Sequence, residues 1–496
     1  MAFRVGPNYM EGSASDRFRR LGRPGRRGGP AGGADRSPGD GATVRAGALN
    51  GISFMHSSLR LGIAGLGTVG ASVVRGLRAH GDELAERCGR KLTVRAVCAR
   101  DRTKDRGVDL SGINWFQDPV KLAESPDIDV FVELIGGASG PAEDSVRAAL
   151  ASGKHVVTAN KALLARHGGE LARLAEKMGV SLNFEAAVAG GIPIIKTLRE
   201  SLAGNRVDRI FGILNGTCNY ILTRMQTERL SFDTCLKEAQ RLGYAEADPT
   251  FDVGGFDTAH KLALLTSLAF GSEIDVDAIA VEGIESITLD DIEKADELGY
   301  RIKLLAIAER SASGAIAQRV HPTMVPKSSA IARIDGVINA VAIEADFVGK
   351  LMLVGPGAGG DATASSVVSD IADIARGTAL STMGKPSEQR MTPYMRSNGE
   401  AHRGAYFVRL SVHDRPGAFA AIATRMAAHD ISLESIVQRA RRPSADAPGD
   451  TTPSEPQPVI VLTYATTETA LRTALSQVVE DGHVASPPRF IRIERF

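Results

Sequence analysis

Leu61-Gly62-Ile63-Ala64 runs directly into Gly65-Leu66-Gly67-Thr68-Val69-Gly70, and a helical pattern continues from there through Leu77. An apolar strand, a glycine turn and a helix in that order are the context in which G-x-G-x-x-G carries meaning. Gly65 suits a tight turn, Gly67 lets the backbone approach a pyrophosphate, and Gly70 permits close packing of helix on strand. The helix N-terminus adds the positive end of its dipole. An ordinary strand-to-helix turn is the bland alternative. Downstream, residues 92–99 alternate as a second strand, 129–135 form a largely apolar run, a helix runs through Leu150, and 155–158 give a further strand. Apolar runs of this kind mark buried parallel strands. Strand alternating with helix predicts an α/β fold, a Rossmann-type doubly wound parallel sheet.

That domain covers only part of the chain. At roughly 100–200 residues per domain, 496 residues predict about three domains. Residues 1–57, typified by Arg23-Pro24-Gly25-Arg26-Arg27-Gly28-Gly29-Pro30, read as a disordered Gly/Pro/Arg-rich tail, with Met55 a candidate translation start. Residues 58–184 are the nucleotide-binding domain. From residue 185 the texture becomes α+β, continuing to 381, with part of 330–381 able to pack back on the first domain. Residues 382–404 are polar, carry Pro386 and Pro393, and read as a linker. Residues 405–496 follow a ferredoxin-like pattern interrupted by a Pro-rich loop at 442–458.

Composition narrows the function. Lys+Arg is 59 and Asp+Glu 58, so there is no basic surplus for nucleic acid. No apolar run reaches the length of about 18 residues that a membrane span needs. Cys88, Cys98, Cys218 and Cys235 form no C-x-x-C pair, which suggests neither a zinc site nor a disulfide framework and suits a reducing, cytoplasmic setting.

The end of the second strand reads Arg100-Asp101-Arg102-Thr103-Lys104. An acidic residue there binds a ribose hydroxyl and favours NAD. Arg100 and Lys104 instead suit a 2′-phosphate and favour NADP, while Asp101 leaves NAD open and a solvated turn remains the alternative. The acidic residue comes later than usual, so residues 80–91 are expected to form an extra loop. Thr158-Ala159-Asn160-Lys161 lies just past a strand's carboxyl end, where open α/β sheets bind ligands. There Lys161 reads equally as a functional ammonium or a solvated charge.

The densest stretch is residues 239–261, where Glu246, Asp248, Asp252 and Asp257 crowd with Lys261 round a Gly/Pro-rich bend before a helix. Asp257 and Lys261, four apart, share a helix face. A desolvated lysine oriented by a carboxylate can exchange protons near neutral pH, as oxidation of an alcohol by hydride loss requires. By spacing alone, an N-capped amphipathic helix with one i,i+4 ion pair is the stronger reading. His260 points about 100° off that face and reads as a satisfied structural histidine.

The 239–261 stretch closely resembles the signature of homoserine dehydrogenase. Asn215-Gly216-Thr217-Cys218-Asn219-Tyr220-Ile221-Leu222, Asn160-Lys161-Ala162, residues 185–193 and Gly355 through Asp370 resemble further blocks of that family, in order. His321-Pro322-Thr323 resembles a block of structural character. The resemblance implies interconversion of L-homoserine and L-aspartate 4-semialdehyde with NAD(P), a step of threonine, methionine and isoleucine synthesis. It implies that Lys261 is the proton donor or acceptor and that Lys161 contacts cofactor and substrate. Glu246, Asp252, Asp257 and Thr217 would hold the substrate or position the lysines. Gly359 would lie near the nicotinamide. A sodium ion would be held by Glu185, Val188, Gly190 and Ile192. Residues 185–381 would then be the catalytic and dimerisation domain of a homodimer or homotetramer, and 405–496 an ACT domain binding threonine near residues 414–417. Cys218 stands where the family more often has Thr, which suggests packing rather than nucleophilic catalysis.

Overall fold

In the computed structural model, which describes residues 58–386, 392–396, 403–413, 415–438 and 456–496, β1 (Leu59–Ala64) is flanked by β2 (Leu92–Cys98) and β4 (Val130–Glu133). With β3 (Asn114–Phe116), β5 (His155–Thr158) and β6 (Leu182–Asn183) they form a six-stranded sheet in the order β3-β2-β1-β4-β5-β6, every pair parallel. This is the doubly wound dinucleotide-binding order. Its direction reverses between β1 and β4, where such sheets open a crevice at the strands' carboxyl ends. The central strands β1 and β4 are almost wholly buried because helices cover both faces.

Residues 80–91 are not a loop. Gly81–Cys88 is a helix with Asp82 and Glu83 in its first turn, closed by Gly89 in the left-handed conformation. Acidic residues at an N-terminus and glycine past a C-terminus favour helix, and these signals were present in the sequence.

The second sheet is mixed. It takes β7 (Val207–Ile213), β8 (Ala280–Val281), β9 (Tyr300–Arg310), β10 (Ile316–Pro326), β11 (Ile338–Ala345) and β12 (Gly349–Pro356) from the α+β region. It continues through β13 (Arg403–Val412), β14 (Leu433–Gln438), β15 (Gln457–Thr463), β16 (Thr466–Thr467) and β17 (Val484–Ile493) of the C-terminal region. The path is β12-β11-β7-β9-β10-β17-β13-β15-β14. One sheet therefore spans two regions that the sequence divides, joined where β17 runs parallel to β10 at Thr323–Arg492 and Met324–Ile493. The sequence reading has no strand at 484–493, where Pro487 and Pro488 interrupt the run. The prolines sit where the β13–β17 register shifts, so they cost the ladder little.

Residues 382–404 are no free linker where they are described. Thr392 bridges to Ser272 and Arg396 to Ile316, and the Tyr394 hydroxyl donates to the Ile316 carbonyl at 3.1 Å. Residues 387–391 and 397–402 lie outside the described residues, as do 1–57, Asp414 and most of the Pro-rich loop (439–455). The helix Gly360–Arg376 returns to the first sheet, burying Ala364, Val367, Ile371 and Ile374 with Leu61, Ile63 and Val73. Among the described residues, no helix is long and apolar enough to cross a membrane.

Candidate active site

The glycine turn is shaped by close backbone approach. Gly65 has φ +98°, and a Cβ there would stand 2.3 Å from the Leu134 carbonyl, just past β4. A Cβ on Gly70 would stand 2.1 Å from the Gly65 carbonyl, whereas one on Gly67 would meet nothing within 4 Å. Leu66-Gly67-Thr68-Val69 thus presents open backbone, and the helix Thr68–Ala79 begins with no side-chain cap. Gly359, N-cap of the returning helix, also leaves that helix without a side-chain cap. The next residue, Gly360, lies against Thr68, whose Cγ2 would be 2.8 Å from a Cβ on it. Two uncapped helix N-termini therefore meet at one crevice, and the unsatisfied N–H groups fit a dinucleotide's pyrophosphate.

Arg100 and Lys104 are exposed beyond β2. The sequence reading missed Arg106. Its Nε donates to the Leu66 carbonyl at 3.1 Å and its guanidinium to the carbonyls of Asp101 and Lys104. It thereby ties the basic segment to the glycine turn. Nothing in its local sequence distinguishes it from Arg102.

Lys161 is the first residue of the helix Lys161–Met178, capped by Asn160, whose side chain accepts from Leu163 N. A cation at a helix N-terminus opposes the dipole, so its place there calls for a compensating charge. Buried Glu133 fixes the turn from below. Its carboxylate accepts from Ile135 N, Gly136 N and the Thr158 hydroxyl, and that hydroxyl accepts from Asn160 N.

The compensating charge is Asp257. Its Oδ1 lies 3.0 Å from Lys161 Nζ and its Oδ2 2.7 Å from Lys261 Nζ. One carboxylate therefore brings together two ammonium groups from different domains. Burial would push Asp257 up, but the charge of Lys261, then that of Lys161, and hydrogen bonds from Lys261 and Asn215 hold it well below the usual carboxylate range. Lys261, 9% exposed, also donates to the Leu214 carbonyl at 2.7 Å. Burial pushes the Asp252 carboxyl up; a hydrogen bond from Asn215 opposes the shift and the Asp257 charge reinforces it.

Thr217 lies within the same walls, its hydroxyl donating to the Tyr244 carbonyl at 2.6 Å. Glu246 is exposed, and among the described residues no hydrogen bond or ion pair joins its carboxylate to the lysines. Cys218 donates its thiol to the Asp252 carbonyl. Burial raises the Cys218 thiol well above its ordinary value and raises Cys235 too, so neither offers a thiolate nucleophile. His260 is not satisfied: its ring packs edge-on to Phe251, while its Nδ1 is buried with no hydrogen-bond partner among the described residues. His321 is buried, with Nδ1 2.9 Å from the Thr323 hydroxyl.

Glu185, Val188, Gly190 and Ile192 are all buried on one short turn. The Glu185 carboxylate accepts from Ile195 N and Lys196 N, the Gly190 carbonyl from the Ser366 hydroxyl, and the Ile192 carbonyl from Ile194 N. Each of these oxygens retains a second lone pair, so a hard monovalent cation fits the donor set.

Three family models match in chain order. They are Homoserine dehydrogenase, NAD binding domain over residues 65–185, Homoserine dehydrogenase over 193–372, and ACT domain over 406–453. A homoserine dehydrogenase of Neisseria gonorrhoeae is 42% identical over 441 residues, covering 88% of this chain and 98% of its own length. One from Pseudomonas aeruginosa is 41% identical over 442 residues, covering 88% and 99%. The crystal structure of a homoserine dehydrogenase from Thiobacillus denitrificans superposes with a TM-score of 0.81 at 41% identity, covering 88% of this chain and 99% of that one. A hyperthermophilic archaeal homoserine dehydrogenase in complex with NADPH gives a TM-score of 0.55 at 27% identity, covering 66% and 99%. With a dinucleotide crevice, a lysine pair on one carboxylate and near-full-length relatives in agreement, the chain belongs to the homoserine dehydrogenase family of NAD(P)-dependent oxidoreductases.

Proposed function

We propose that the chain interconverts L-homoserine and L-aspartate 4-semialdehyde with NADP in preference to NAD, that Lys261 moves the proton at the substrate oxygen, and that Lys161 orients the reacting carbon. The observation that carries this reading is the Asp257 carboxylate, which holds one ammonium on each oxygen. The nicotinamide supplies or accepts the hydride when bound. An ammonium has three N–H donors. Two of those on Lys261 go to Leu214 O and Asp257, which leaves one for a substrate oxygen. Among the described residues Lys161 is engaged by Asp257 alone, and its remaining donors serve substrate and cofactor. Asp252 and Thr217 would hold the substrate's polar ends, with Glu246 at the exposed rim.

Sodium at Glu185, Val188, Gly190 and Ile192 would brace the turn against the helix Gly360–Arg376, to which Glu185 N and Asp370 already bind it at 2.8 Å. Threonine is the proposed effector at the ACT domain, where Gly417 opens the helix Ala418–Ala428. A cytoplasmic homodimer or homotetramer fits four free buried cysteines and the exposed edge strand β12 beside Phe347, which is 84% exposed.

Initial rates of nicotinamide absorbance test these points together: homoserine with each nucleotide, with and without threonine, in sodium against choline chloride. Turnover fastest with NADP, slowed by threonine and supported by sodium, is expected. Threonine binding without any turnover would defeat the enzymatic reading. Arg100→Ala should raise the KM for NADP by about tenfold and leave that for NAD nearly unchanged, the loss of one charge-assisted phosphate contact. Equal effects on the two nucleotides would refute a 2′-phosphate contact.

A further inference from the structure

Asn215 is placed unlike any other residue of the site. It follows β7 by two positions and caps the helix Gly216–Glu228. Its Oδ1 accepts from Cys218 N at 2.8 Å. Its Nδ2 donates to Asp252 Oδ1 at 2.9 Å and to Asp257 Oδ2 at 3.0 Å. The residue is 5% exposed. Both amide protons and the amide oxygen are therefore spent, the protons on two carboxylates from separate helices.

We propose that Asn215 is a positioning residue of the dehydrogenation: its amide clamps Asp252 and Asp257 together as a charged pair, and so aims Lys261 and Lys161 at the reacting carbon. The clamp rests on the proton-transfer role proposed for Lys261.

Two buried carboxylates sharing a site disfavour each other's ionisation. A group between them must donate to both. A third cation there would upset the balance of Asp252 and Asp257 against Lys161 and Lys261. A neutral carboxamide supplies two N–H donors and no charge, and its oxygen anchors it to a helix end. Asp257 Oδ2 then accepts from Asn215 and Lys261 together, which fixes the carboxylate's rotation and with it the direction of the Lys261 head group.

The titratable groups facing this amide come from several elements. Cys218 lies on its own helix, Asp252 on Thr250–Val253, and Asp257, His260 and Lys261 on Phe256–Phe270. Lys161 comes from the helix below, and the charge of Glu285 reaches Cys218.

Asn215→Asp separates the clamp from the cap. Asp caps a helix about as well as Asn, but it brings oxygen where the two carboxylates need N–H. The full-length variant should remain folded and bind NADPH as before, while kcat for homoserine falls about 100-fold, the usual penalty for a misaimed group. The acid limb of its pH–rate profile should move up by about one unit, since three crowded carboxylates retain a proton. Asn215→Ser, which keeps the cap and one hydroxyl donor, should recover part of kcat and of the shift. An Asn215→Asp enzyme with wild-type kcat and an unmoved acid limb overturns the clamp. Equal kcat losses in both variants with unmoved limbs also overturn it and leave only a cap. Should Asn215→Asp fail to fold, Asn215→Ser decides on the same criterion. If Lys261→Met keeps full turnover, the proton-transfer reading fails first and the clamp with it; full loss there with an unmoved Asn215→Asp limb sinks the clamp alone.

Discussion

Lys261→Met turns over homoserine about 10²–10⁴-fold more slowly than the unaltered enzyme, the range that a positioned acid–base group contributes, while its affinity for NADPH stays within about twofold. Methionine is the right replacement because Lys261 is buried, with its head group on the Leu214 carbonyl. Alanine would add the cost of a cavity to the loss of the proton carrier. After the substitution Asp257 still faces Lys161 at 3.0 Å and Asn215 at 3.0 Å, so it remains charged and the site does not collapse round an unpaired anion. The crevice proposed for the pyrophosphate is built from Gly65–Gly70 and Gly359, on other elements, so cofactor binding should be untouched. Stopped-flow reduction of NADP with homoserine, beside a fluorescence titration with NADPH, separates the two quantities. Normal turnover with weakened NADPH binding would place Lys261 in the cofactor site and end its proton-transfer role.

What the sequence disclosed followed the range of the forces involved. Strands β1, β2, β4 and β5 of the parallel sheet were legible because each carries its own signal, an apolar run, with the Gly65–Gly70 turn after the first; β3 and β6, three and two residues long, carry too little pattern to be read. The Asp257–Lys261 pair was legible because helix geometry fixes neighbours four apart. Its partner Lys161 is brought in by packing of the helices Lys161–Met178 and Phe256–Phe270, which no local pattern announces. The family resemblance, not the spacing, linked the two lysines. Asn215 could be read as a helix cap, yet its carboxylate partners lie 37 and 42 residues away, so the clamp was invisible. Arg106 was hidden for the same reason, its acceptor Leu66 being 40 residues distant.

The same limit applied to β17, and it bears on what the C-terminal domain does. Removing residues 405–496 is expected to yield an aggregating, inactive chain rather than a desensitised enzyme. The last strand completes the catalytic sheet at β10, and Glu494 N donates to the Met324 carbonyl at 3.0 Å. Buried Glu494 accepts from Arg319 at 2.8 Å and from Arg209 at 2.8 Å. Phe496 stacks on Phe211 at 4.0 Å, and the Arg209 guanidinium lies over both rings. Truncation would bare an edge of β10 and strip one carboxylate from two guanidinium groups, a combination that invites edge-to-edge association.

Glu494→Gln tests the ionic part alone. Breaking a buried pair costs about 3–5 kcal/mol; here the loss should fall near the lower end, because Glu309 still faces Arg319 at 3.1 Å and Arg209 at 2.8 Å. Urea unfolding followed by tryptophan-independent far-UV signal and by activity should show both midpoints falling together. That concerted fall is what a continuous sheet requires: the domain that would bind the effector and the one that would perform the chemistry share one sheet, so a shift of β17 pulls on β10. A chain ending at residue 404 that stays soluble, keeps full turnover and loses only threonine inhibition would refute this coupling.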